Sequence, residues 1–169
     1  MKLHIRRIEA EEISLFSELL LGVASWLEAK GQPLWAQDML SPEALLRRNR
    51  LNEFYLAFLG EQPAACMVLQ EQDEDFWPND TGTDALYLHK LAVHRMFAGQ
   101  GLSQSLIEYA KEEAKARGKR FLKLDTAAKN EKLNRLYQSY GFSYSGIVMY
   151  GVFEASLYQL DLTFLSPLS

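Results

Sequence analysis

The chain has 169 residues, 48% of them apolar, 24% charged and 12% aromatic, which specifies a globular domain and excludes a disordered tail. Eighteen basic against 22 acidic residues leave a net charge of −4, so the basic surplus of a phosphate-tracking nucleic-acid binder is missing. Cys66, the one cysteine, can form neither an internal disulfide nor a multi-thiolate zinc site. The longest apolar run, Leu19–Ala24, falls far short of the roughly 20 residues of a membrane span, and Met1–Ala10 is charged where a secretory signal would be apolar. These features predict a single cytoplasmic domain over residues 1–169, with no nucleic-acid or membrane partner and no metal.

Leu3–Ile8 alternates apolar and charged residues and predicts a first strand. Ile13, Phe16, Leu20, Val23 and Leu27 recur three and four apart and predict a long helix, stopped at Gly31. Ser41-Pro42-Glu43 opens a second helix over 42–50, with Ser41 as N-cap and Pro42 in the first turn. Then the period changes to two. Glu53–Leu59 and Pro63–Glu71 predict a hairpin across Gly60-Glu61-Gln62, Gln72–Asp84 an acidic loop, and Ala85–Val93 a third strand of this series. Leu102–Arg117 reads as a helix ended by Gly118, Phe121–Leu124 as a strand leading to Asp125, and Glu131–Tyr140 as a helix ended by Gly141. Phe142–Tyr150 and Ala155–Leu162 supply two closing strands. Hairpins mixed with helical crossovers predict an α/β domain, three layers deep, around a mixed sheet.

The segment Ala98-Gly99-Gln100-Gly101-Leu102-Ser103 joins the strand to the helix. Glycines let the backbone bend and let a ligand approach with no Cβ in the way. A helix start leaves N–H groups unpaired, and the helix dipole makes that end attractive to anions. A phosphate or pyrophosphate is the guest such a loop suits. A dinucleotide fold would use Asp125 as its ribose-binding acid, but Gln104 stands where the third glycine belongs, and the glycines come several residues after the strand. A Walker-type loop lacks its Gly-Lys-Ser/Thr.

Leu88-His89-Lys90-Leu91-Ala92-Val93-His94-Arg95-Met96-Phe97 and the loop that follows resemble the acetyl-CoA segment of the GNAT superfamily of N-acetyltransferases. Asn130, Leu136-Tyr137 and Tyr140-Gly141-Phe142 are similar to the second motif of that family. The loop departs from the family pattern at Ala98, which replaces Gln or Arg, and at Ser103, which replaces Gly or Ala. The resemblance implies a GNAT-like α/β/α fold with a splayed central sheet, acetyl-CoA as cosubstrate, and transfer to a primary amine of a small molecule or peptide by direct attack in a ternary complex. A non-catalytic acyl-CoA-binding or regulatory module on the same fold is the alternative, and a homodimer is compatible with either.

The resemblance also implies residue roles. Backbone groups of Ala98, Gly99, Gln100, Gly101, Leu102 and Ser103 would hold the pyrophosphate, while Leu91 and Val93 would pair with the pantetheine arm. Asn130 would bind the same arm, or cap the helix at Glu131, or both. Tyr137 would steady the departing thiolate; its structural alternative is packing beside Leu133 and Leu136. His89 has the pKa of a base at neutral pH, with Tyr87 on the same face of the strand, although a strand histidine is often structural. Trp26, Glu28, Trp35, Tyr87 and Asp38, with Asp73, Asp75 and Trp77, offer aromatic faces and carboxylates to a cationic acceptor, or else close the core. Lys2, Lys129, Lys132 and Arg135 are candidates for the cofactor phosphates. Cys66, among apolar neighbours, suits burial and disfavours an acetyl-cysteine relay.

Overall fold

The computed structural model describes residues 2–164. Strand β1 (Leu3–Arg7) runs through a 3₁₀ turn into helix α1 (Ile13–Ala29), and helix α2 (Pro42–Arg48) follows. Strands β2 (Phe54–Leu59) and β3 (Gln62–Gln70) form the first hairpin. Next come strand β4 (Ala85–Val93), helix α3 (Leu102–Ala116), strand β5 (Phe121–Ala127), helix α4 (Glu131–Ser139), and the hairpin of β6 (Ser143–Tyr150) and β7 (Phe153–Asp161). The order of elements is the one the sequence predicts. Among the described residues no helix is long and apolar enough to cross a membrane.

The ends of the elements have local causes. Ser41 Oγ accepts the Ala44 N–H at 3.1 Å and starts α2. That helix stops at Arg48, two residues short of the predicted Arg50, because Asn49 turns extended (ψ 151°) and a 3₁₀ turn over Leu51–Glu53 takes its place. Strand β5 continues past the predicted Leu124 to Ala127. The reason is its antiparallel partner, since β7 pairs with it all the way from Phe121↔Asp161 to Ala127↔Ala155.

The sheet is seven-stranded, open and mixed, in the order β1-β2-β3-β4-β5-β7-β6. Its parallel pair is β4 with β5, which covers Ala85–Leu88 on Phe121–Leu124 and goes no further. Two residues later, Lys90 adopts φ 52°, the one positive-φ non-glycine among the described residues. A side chain held in that left-handed region is strained by about 1–3 kcal/mol and persists only where its surroundings enforce it.

The chain forms two compact units, residues 1–69 with 90–109 and residues 70–89 with 110–169. In the first unit, Phe16, Leu20, Val23 and Leu45 of the helices pack on Phe54, Leu56, Cys66 and Val68. The opposite face of β2 turns Tyr55 towards Tyr109 of α3, ring centres 5.7 Å apart. Every residue of β2 is therefore buried, as expected of a strand covered on both sides. In the second unit, Tyr158 of β7 donates to Asn134 Oδ1 of α4 at 2.6 Å and fastens that helix to the sheet.

Candidate active site

The glycine loop is built as the sequence predicts. Strand β4 ends in a 3₁₀ turn over Arg95–Phe97, and Ala98–Gly101 then run exposed to the start of α3. Gly99 and Gly101 take φ 81° and 76°, a region L side chains avoid, and a Cβ at either would enter open space. A helical bond runs from Ser105 N–H to the Gly101 carbonyl at 3.1 Å, so α3 starts at the second glycine. Leu102 is buried and anchors the turn, while Ser103 is half-buried. The result is an exposed backbone turn, with open space beside both glycines, at the positive end of a 15-residue helix. Upstream, Leu91 and Val93 lie beyond the last residue of β4 that pairs with β5.

Tyr137 sits on α4 with its ring edge-on to Phe142, centres 6.0 Å apart, and is 7% exposed. Burial, and after it the negative charge of Asp125, pushes the phenol above its ordinary pKa. It therefore stays protonated at physiological pH, as a hydrogen-bond donor. Asn130 caps the same helix, its Oδ1 accepting the Leu133 N–H at 3.1 Å.

In the second unit, β4 and β5 carry two tiers of polar side chains on one face. The register Tyr87↔Lys123 and Leu88↔Leu124, with side chains alternating along each strand, brings Tyr87 and Lys123 together. The same alternation puts His89 and Asp125 on that face. The acidic loop lies over both tiers. In the lower one, Asp80 Oδ2 accepts from the Tyr87 hydroxyl at 2.5 Å and from Lys123 Nζ at 2.7 Å, and Lys123 also lies 4.6 Å from the centre of the Trp77 ring. Tyr87 thus spends its hydroxyl on a structural clasp.

The upper tier is built differently. His89 Nε2 lies 2.9 Å from Asp73 Oδ2, and Nδ1 lies 3.3 Å from Asp125 Oδ1. These are ion-pair distances, and Asp73 Oδ2, His89 Nε2 and Asp125 Oδ1 are all buried. A local turn holds Asp73 in place, its Oδ1 accepting the Phe76 N–H at 3.2 Å. Phe76 stacks obliquely on Tyr150 (5.3 Å) and lies 6.2 Å from the His89 ring. Burial alone would lower the His89 pKa, but the hydrogen-bonding and charge of Asp125 and Asp73 outweigh it and push it up to about 9. The ring is an imidazolium at neutral pH. Asp73, His89 and Asp125 also have the composition of a cation site, with ligand atoms all within 4.8 Å of one another. However, the two carboxylates approach opposite ring nitrogens, and only one of those can ligate a given ion.

In the first unit Trp26, Glu28 and Trp35 already have partners of their own. The Trp26 ring lies under the Arg95 guanidinium at 3.5 Å and near Lys30 Nζ at 4.4 Å, so its cations are the protein's own. Glu28 accepts from Gln37 Nε2 at 2.8 Å, and Trp35 packs on the core. Cys66 is fully buried, donates to the Lys90 carbonyl at 3.6 Å and has its thiol pushed up by burial. The composite of Asp73, His89 and Asp125 was not foreseen as one site. The signal for it was the shared period of two in β4 and β5, readable only once their register is known.

A seven-stranded open mixed sheet with a glycine turn at the start of α3 is the GNAT-like arrangement that the sequence resemblance implies. The sequence profile of the acetyltransferase (GNAT) family matches residues 20–142, and the chain belongs to that family. It is 28% identical over 145 residues to the uncharacterized N-acetyltransferase YesJ of Bacillus subtilis (strain 168), covering 80% of this chain and 79% of that protein. The crystal structure of a GNAT-family acetyltransferase from Listeria monocytogenes superposes with a TM-score of 0.78 at 28% identity, over 94% of each chain. PaiA N-acetyltransferase from Thermoplasma acidophilum, solved with coenzyme A, shares the fold with a TM-score of 0.74 at 16% identity, over 95% of this chain and 99% of that one.

Proposed function

We propose that the chain works as one GNAT domain and moves the acetyl group of acetyl-CoA onto a primary amine of a small molecule or peptide, by direct attack with both substrates bound. The observation that carries this reading is the cradle at Gly99 and Gly101, where a Cβ would intrude on open space beside the start of α3. Coenzyme A in the PaiA structure supports the choice of ligand. In this reading the backbone of Ala98–Ser103 holds the pyrophosphate, and Leu91, Val93 and Asn130 receive the pantetheine arm.

Acetyl-CoA, when bound, supplies an activated thioester. His89 takes the proton the amine must lose, the new C–N bond forms as the C–S bond breaks, and the Tyr137 hydroxyl donates a hydrogen bond to the departing thiolate. The burial of Cys66 keeps its thiol out of the transfer. Thiol release from acetyl-CoA across polyamines, amino acids, aminoglycosides, arylalkylamines and peptide N-termini tests the proposal. Tyr137→Phe should retain acetyl-CoA binding and lose roughly 10–100-fold in turnover, the usual scale for one such group. Amine-independent thiol release, or full activity in Tyr137→Phe, would remove the reading.

A further inference from the structure

We propose that Asp73 and Asp125 are positioning residues that grip His89 by both ring nitrogens and so set the pH at which the acceptor amine is activated. This rests on the reading of His89 as the acceptor of the amine's proton. The geometry carries it. A neutral imidazole has one N–H, so a carboxylate at each nitrogen leaves one of them facing a lone pair; only the imidazolium offers a proton to both. Side-chain exposures of 15% for His89, 4% for Asp73 and 12% for Asp125 keep water from screening the arrangement. The groups around the ring come from three elements: Asp73 and Phe76 from the loop, Asp125 from β5, and Tyr87 from the next turn of β4. Tyr137 of α4 feels the charge of Asp125. Among them the two carboxylates are the groups that hold the ring protonated, and the pKa of about 9 agrees with this.

The proton count then decides when the site works. An imidazolium beside a neutral amine holds the same number of protons as an imidazole beside an ammonium. Either form is one proton short of the state that dominates at neutral pH, because an alkylammonium titrates near a pKa of roughly 10. One proton passes between amine and ring by way of the carboxylate at one ring nitrogen, and the C–N bond can then form. The acidic limb of kcat/KM should therefore track the titration of His89 and lie well above the roughly 6.5 of an unperturbed histidine.

The chain has three histidines, so each imidazole can be followed by NMR and His89 assigned by its absence in His89→Gln. The experiment titrates the wild type, Asp73→Asn and Asp125→Asn by NMR and records their kcat/KM profiles in parallel. His89 should titrate near pH 9 in the wild type and about one unit or more lower in each variant, and the acidic limb should move by the same amount. Each variant keeps the shape of the side chain, and either alone suffices if the other does not fold. A wild-type His89 titrating near 6.5, or one unmoved in the folded variants, overturns the grip. If His89 shifts while the limb stays, or the rate drops evenly at all pH values, the link to activation falls, and with it the role of His89 as base. Acetyl-CoA turnover itself would still stand, so the two failures remain distinct.

Discussion

The two tiers on β4 and β5 use similar residues two positions apart and end in opposite states. In the lower tier Lys123 and Asp80 cancel in charge, and the Tyr87 hydroxyl fills a second acceptor site on the same oxygen. Its one loose end is the Trp77 indole N–H, buried without an acceptor among the described residues. In the upper tier two carboxylates share one imidazolium, leaving one net negative charge in a buried setting. A closed, neutral network stabilises and has nothing left to offer. An open, charged one is costly to bury and retains the capacity to bind or to move a proton.

The largest effect that would sharpen this contrast is on the lower tier. Asp80→Ala leaves the Lys123 ammonium, itself 10% exposed, without its carboxylate. The loss should be about 2–4 kcal/mol, below that of a fully buried pair because the Asp80 side chain is 25% exposed. It would be read as a lower urea midpoint with an unchanged slope, and an Asp80→Ala protein as stable as wild type would show that the tier is not a clasp.

The upper tier should instead show in pH dependence. His89 has a folded pKa of about 9 against 6.5 unfolded. Its contribution is thus fully present below pH 6.5 and is lost as pH rises through 9, up to about 3 kcal/mol. Urea unfolding at both ends of that window should show the decline in the wild type and not in His89→Gln; parallel declines in both would assign it to other groups.

The smallest effect returns to the lower tier. Tyr87→Phe removes one donor from Asp80 and should cost about 1–2 kcal/mol, leaving the kcat/KM profile in place. A shifted profile would join the two tiers into one network.

Much of the fold is legible in the chain because its signals are local. The helix of Ile13 to Leu27, the Ser41 cap, the Ala85–Val93 strand and the two turning glycines each depend on a few neighbouring residues. The grouping of Asp73, His89 and Asp125 is not local. Parallel register is set across an intervening helix, and the course of the acidic loop depends on one turn at Asp73. Asp125 was legible as an acid at a strand end, without its partner. Trp26 divides the same way: Lys30, four residues along the same helix, was within reach of a sequence argument, whereas Arg95 arrives from a distant segment.

Cys66 gives the first compact unit an internal clock. Its sulfur is fully buried in a covered strand, so an alkylating reagent meets it only when the strands around it part. The labelling rate therefore counts the openings that expose this strand, and its change with denaturant distinguishes a local breath from unfolding of the whole chain.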